Sequence, residues 1–133
     1  MTKDKINKPT EAELEILHVL WENGPSTVRF VNDRLNRYKK TGYTTTLKLM
    51  QIMLDKSLLR RDENKRLHTY SSAVTMDEVQ KVLLERFLDK TFSGSAHKMV
   101  MKALGTHKPN KEELDQIKKL IEELEQENDI SGK

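Results

Sequence analysis

The sequence predicts a mainly α-helical chain with one small β-hairpin, and three observations carry that reading. Apolar residues recur at three- and four-residue intervals in six separate stretches. Several of those stretches open on a residue suited to cap a helix. One pair of short β-prone runs brackets a polar turn. Five glycines and three prolines in 133 residues leave little material for a loop-rich β fold or a glycine phosphate cradle.

The first helix is predicted over residues 11–22. Thr10 and Glu13 have capping-box spacing, and Leu14, Leu17, Leu20 and Trp21 recur at helical intervals with Ile16 and Val19 beside them. Asn23-Gly24-Pro25 stops it, since proline cannot continue a helix. Ser26 is the expected N-cap of a second helix carrying Val28, Val31 and Leu35, which fades into the polar, basic stretch 36–42. A third helix is expected from Thr44 or Thr45 to Lys56. Its apolar residues cover most of the circumference, while Thr44 or Thr45, Lys48, Gln51 and Asp55 form one polar stripe. Two β-prone runs, 58–61 and 66–71, then flank the turn-like residues 62–65, and the hairpin carries Arg60, Arg61, Lys65 and Arg66.

The second half reads as three more helices. Thr75 and Glu78 repeat the capping box before Val79, Val82, Leu83, Phe87 and Leu88, with an end near Lys90. A shorter helix spans residues 96–104 with Met99, Val100, Met101 and Leu104, and is expected to stop at Gly105. Pro109-Asn110 starts the last one, with Glu113 in the box position. Leu114, Ile117, Leu120 or Ile121, and Leu124 trace a narrow seam on an otherwise charged helix, expected to fray from Glu127 onward. Three such helices bury too little to make a robust core alone, so self-association into a two-fold dimer is expected, through Val82, Phe87, Met99, Leu114, Ile117, Leu120, Ile121 and Leu124.

Composition excludes whole classes of chemistry. There is no cysteine, so disulfides, thiolate nucleophiles and cysteine-ligated metals are absent. His18, His68, His97 and His107 are scattered without a second ligand at metal-like spacing, and His18 reads as structural. Met50, Met53, Met99 and Met101 read as core filler. No cofactor is expected, and no nucleophile–base pair or carboxylate pair points to an enzyme. No apolar run approaches the roughly 18 residues of a membrane span, and residues 1–10 are charged rather than signal-like, so the expected location is cytoplasmic. Charge is divided: up to Val74 there are 14 Lys and Arg against 9 Asp and Glu, and from Thr75 onward 10 against 12. The expected division is a nucleic-acid-binding domain over residues 1–74 and a helical dimerisation domain over 75–133.

Three helices followed by a basic hairpin is the order of a winged helix-turn-helix. A helix fits the major groove of duplex DNA, while a cationic hairpin reaches the flanking backbone. The candidate contacts are Tyr43, Thr44, Thr45, Thr46, Lys48 and Gln51 on the third helix and Arg60, Arg61, Lys65 and Arg66 on the wing. Glutamine suits adenine and a threonine methyl suits thymine, whereas Thr44 or Thr45 at the helix start also suits phosphate. Arg29, Arg37, Lys39 and Lys40 are weaker candidates, because charge runs usually just face water.

Four segments, EAELEILHVLW at 11–21, GPSTVR at 24–29, TTLKLMQIMLDKSLL at 45–59 and RRDENK at 60–65, resemble the penicillinase and methicillin-resistance repressor family, and the similarity continues into the tail. The resemblance implies dimeric winged-helix transcriptional repressors whose C-terminal helices form the dimer, and two rigidly spaced reading modules are expected to bind a palindromic DNA operator. It also implies a regulatory protease as partner, cutting an Asn–Phe bond in the tail; the matching pair here is Lys102-Ala103. A related copper-responsive branch uses C-terminal cysteines, which this chain lacks. The competing readings are a helical adaptor that docks an acidic protein, and an architectural protein that binds DNA without sequence preference.

Overall fold

The computed structural model of the chain describes residues 6–64 and 66–130. Its elements run α1 (Glu11–Asn23), α2 (Val28–Leu35), α3 (Tyr43–Asp55), β1 (Leu59–Asp62), β2 (Thr69–Ser72), α4 (Met76–Phe92), α5 (Ala96–Thr106) and α6 (Lys111–Ile130). This is the mainly helical, hairpin-bearing architecture that the periodicity predicts. The chain divides into two compact units, one ending at Phe87 and one beginning at Leu88. The first unit therefore extends past Val74 into α4, because Val79 is buried and Leu83 packs against the same core.

Local chemistry explains each element of the first unit. Thr10 accepts from the backbone N–H of Glu13 at 3.2 Å, while Glu13 accepts from Thr10 N–H at 3.0 Å, the expected capping box. Glu13 is buried and also takes an ion pair from Lys56 Nζ at 2.8 Å, so one carboxylate serves both the start of α1 and the end of α3. Gly24 closes α1 at φ +77°, a left-handed conformation that a Cβ would strain.

The N-cap of α2 is Thr27, not Ser26: Thr27 Oγ1 accepts from Phe30 N–H at 3.1 Å. Ser26 is occupied otherwise. Its N–H donates to Tyr70 O at 2.9 Å and its carbonyl accepts from Tyr70 N–H at 2.7 Å, adding a one-residue bridge on the open side of β2. A hydroxyl alone cannot tell a cap from a bridge; the sheet edge nearby decides.

Strand β1 pairs antiparallel with β2 in the register Leu59↔Ser72, Arg60↔Ser71, Arg61↔Tyr70 and Asp62↔Thr69. Pairing stops there, so the loop is longer than the four-residue turn expected, and Arg66 and His68 lie in it rather than in β2. The physical reason is an Asx turn: Asn64 N–H donates to Asp62 Oδ1 at 2.9 Å and carries the chain out of the ladder. Trp21 Nε1 donates to Ser72 Oγ at 3.1 Å and Val74 O at 3.0 Å, fastening α1 to the far end of β2. Ile16, Leu17, Val31, Met50, Met53, Leu58 and Tyr70 fill the core between these elements. His18 stands outside it, exposed, with its ring edge-on to Trp21 at 5.1 Å.

In the second unit, Ser95 caps α5 and the reciprocal Asn110–Glu113 box starts α6 at 3.0 and 2.8 Å. Gly105 does not stop α5, which continues to Thr106; glycine weakens a helix by about 1 kcal/mol without forbidding it. The helix α6 continues to Ile130, past the expected fraying point at Glu127. No described side chain from Leu88 to Asn128 is buried. Met101, expected as core filler, is 62% exposed, because the described residues of this unit form no buried core for it to enter.

Candidate nucleic-acid interface

Helix α3 is amphipathic about its core side. Thr46, Met50 and Met53 share one face and are fully buried. At 100° per residue the opposite face carries Thr44, Lys48, Gln51 and Asp55, all of them exposed, with Thr45 exposed beside them. The expected polar stripe is thus presented to solvent along one line.

Thr46 departs from its expected place among the candidate contacts. It is 0% exposed, and its hydroxyl accepts from Asn32 Nδ2 at 2.8 Å. The third of three consecutive threonines must turn inward when the first points out, and a buried hydroxyl needs the partner that Asn32 supplies. Thr46 is therefore a packing residue and leaves the set of contacts. Tyr43, expected to precede the helix, is its first residue, with Gly42 as an N-cap that makes no side-chain hydrogen bond.

Tyr43 and Leu47 face a cleft of about 510 Å³ that runs from the start of α2 to the wing loop. Arg29, Arg66 and His68 line it as well. The Arg29 guanidinium lies 4.9 Å from the centre of the Tyr43 ring, a cation–π contact that holds both side chains at the mouth of α3. Arg29 stood outside the first rank of candidates from sequence. Its signal is positional: the second residue of α2 sits beside the start of α3 whenever two helices form a helix-turn-helix.

The wing cations are not equivalent. Arg60 and Arg66 are exposed. Arg61 is partly covered and donates through Nε to Glu63 Oε2 at 2.6 Å, with a second contact from its terminal nitrogen to the same oxygen. A hydrogen bond to the Tyr70 side chain, and then Glu63, raises its already high pKa further, so it stays cationic but locally neutralised. Lys65 lies outside the described residues. Together α3 and the wing offer a hydrogen-bonding row beside the exposed positive charge of Arg60 and Arg66, the chemistry of base-edge and phosphate contact.

The residues expected at a dimer seam are brought to one helix face in α6. Leu120 is 54% exposed, with Leu114, Ile121 and Leu124 also open to solvent and Ile117 partly covered. Val82 and Met99 are partly covered and Phe87 is half exposed on their own helices. Among the described residues no group of His, Cys, Asp or Glu is suited to a metal ion, and no helix is long and apolar enough to cross a membrane.

The chain matches the penicillinase repressor family over residues 9–123. A penicillinase repressor from Staphylococcus aureus is 22% identical over 130 residues, spanning 96% of this chain and 98% of the relative. Another, from Bacillus licheniformis, is 22% identical over 119 residues, spanning 90% and 93%. The solution structure of the monomeric form of Bacillus licheniformis BlaI, in complex with the blaP half-operator, superposes with a TM-score of 0.50 at 20% identity. It covers 56% of this chain and 90% of that one, and shows that the two share a fold. Both sequence relatives are named penicillinase repressors. With a match over most of its length and an expected winged helix in place, this chain belongs to the penicillinase repressor family.

Proposed function

We propose that this chain is a homodimeric, sequence-specific transcriptional repressor that binds a palindromic DNA operator. That it is a DNA-binding repressor rests on its family and on its likeness to BlaI, whose structure holds a half-operator. The observation that carries the sequence-specific reading is the exposed row Thr44, Lys48 and Gln51 on α3, flanked by Arg60 and Arg66 of the wing. The row supplies donors, acceptors and the Thr44 methyl group to base edges, and the wing supplies charge to the backbone.

The dimer is supported by the second unit, where none of the described side chains is buried while α6 presents a leucine and isoleucine seam. Covering that seam with a second copy joins two reading heads. Two-fold symmetry then matches an operator whose half-sites lie about 34 Å apart or a multiple of that. In this reading residues 1–74 bind DNA and residues 75–133 dimerise. Repression follows from occupying a promoter in the cytoplasm. Its relief falls to a regulatory protease acting on α5, where Lys102 and Ala103 are exposed but helical, so cleavage requires that turn to open first.

Fluorescence anisotropy with the DNA upstream of its own coding sequence, against random duplex of equal length, tests the proposal. A specific repressor prefers its operator by roughly 10³-fold or more. Equal affinity for both duplexes would leave an architectural binder, and no binding at low salt an adaptor.

A further inference from the structure

The recognition row of α3 has a flank on each side. Tyr43 and Leu47 turn one flank toward the wing cleft. Thr45 and Leu49 turn the other toward a second hollow of about 220 Å³, walled by Lys39 and Lys40 of the α2–α3 loop and by Glu15 of α1. A major groove has the same two-sidedness, since a helix lying along its floor meets a phosphate strand on either wall of a channel about 12 Å wide. The wing accounts for one wall. The other lies on the side of Lys39 and Lys40.

This loop is held, not loose. Asn36 Nδ2 donates to Thr41 O at 2.9 Å and Thr41 N–H returns to Asn36 Oδ1 at 3.0 Å, closing a reciprocal clasp across the loop. Asn32 Nδ2 adds a bond to the same Thr41 carbonyl at 3.0 Å. Between the clasped ends stand Arg37, Tyr38, Lys39 and Lys40. Tyr38 is 88% exposed, an aromatic ring almost wholly in water. No acidic residue occurs between Asp33 and Asp55. Glu15 is the acid that lines the hollow, and among the described residues neither lysine is in an ion pair. A loop that only aids solubility needs neither a clasped backbone nor an exposed tyrosine.

We propose that the α2–α3 loop is a second phosphate clamp, in which Lys39 and Lys40, with Arg37 and Tyr38 beside them, hold the DNA strand on the side of α3 opposite the wing. The inference rests on the DNA-binding reading above. It makes the contact to the duplex two-walled, with α3 fixed between two cationic supports, so the loop sets how deeply α3 seats. Tyr38 adds an uncharged hydroxyl donor, and the lysines add contacts that release counterions.

The test is a salt titration of the full chain on a fluorescein-labelled random-sequence duplex, because phosphate contacts are independent of sequence. The variants are Lys39→Gln/Lys40→Gln and, as a charge-matched control, Lys118→Gln/Lys119→Gln on α6. Each lost phosphate contact flattens the slope of log K against log salt by about 0.9. The loop variant is expected to lose about 1.8 per bound chain, the single Lys39→Gln about half of that, and the control nothing, with unfolding midpoints unchanged. An unaltered slope in the loop variant, while the wild type binds, overturns the clamp and leaves DNA binding standing. Equal losses in the loop and control variants mark a net-charge effect and overturn it too. A wild type that binds no duplex removes the underlying reading and the clamp with it.

Discussion

The side-chain amide of Asn32 donates to the Thr46 hydroxyl at 2.8 Å inside the core, and to the Thr41 carbonyl at 3.0 Å, so one residue of α2 sets where α3 begins. Replacing Thr46 with valine keeps the shape but removes the acceptor. The expected cost is about 1–3 kcal/mol, the penalty of a buried polar group left unmatched. Thr44→Val, on the exposed face, is expected to stay within about 0.5 kcal/mol. Urea midpoints separate the two; a Thr46→Val protein as stable as wild type would contradict the buried bond.

Glu13 holds a second joint. It caps α1 and pairs with Lys56 at 2.8 Å while itself buried. Glu13→Ala loses the cap interaction and strands Lys56, at a combined cost of about 2–3 kcal/mol. Glu13→Gln is expected to cost less, because the amide oxygen still accepts from Thr10 N–H. Denaturant unfolding of both variants at neutral pH reads the difference, and a Gln variant as weak as Ala would show that charge outweighs the cap.

On the wing, salt titration should rank residues by their freedom. Arg60→Gln is expected to flatten the slope by about 0.9, and Arg61→Gln by less, because Glu63 already engages that guanidinium. Glu63→Gln frees Arg61 and should steepen the slope and tighten non-specific binding. Unchanged binding in Glu63→Gln would mean that the Glu63 contact does not restrain Arg61.

Lys48→Ala and Gln51→Ala are expected to weaken preference and not merely affinity. Each base-edge contact contributes about 1–3 kcal/mol of discrimination. Competition of a selected operator against single-base variants measures it. Discrimination retained at every position in both variants would place base reading elsewhere.

Leu120→Glu places a charge in the exposed seam of α6. Sedimentation equilibrium is expected to show monomers, and operator affinity to fall by orders of magnitude as the second reading head is lost. A Leu120→Glu protein that remains dimeric would put the seam outside the interface.

Much of this molecule is written locally, and for that reason it is legible in one dimension. Thr10 with Glu13, Thr75 with Glu78 and Asn110 with Glu113 close their boxes within three residues, and the apolar periods that follow need only one helix to make sense. Element order, the hairpin and the exposed places of Thr44, Lys48 and Gln51 follow from such short-range patterns. What needed the tertiary structure was every choice between chemically equal neighbours. Ser26 and Thr27 are both good caps, but only Ser26 lies against Tyr70, so Thr27 caps. Thr44, Thr45 and Thr46 read alike until Asn32 arrives from another helix to receive the third. Arg60 and Arg61 differ because β-strand side chains alternate, sending one toward solvent and the other toward Tyr70 and Glu63. Composition and period are properties of a segment, whereas a partner across 14 residues or more becomes available only once the chain has closed on itself.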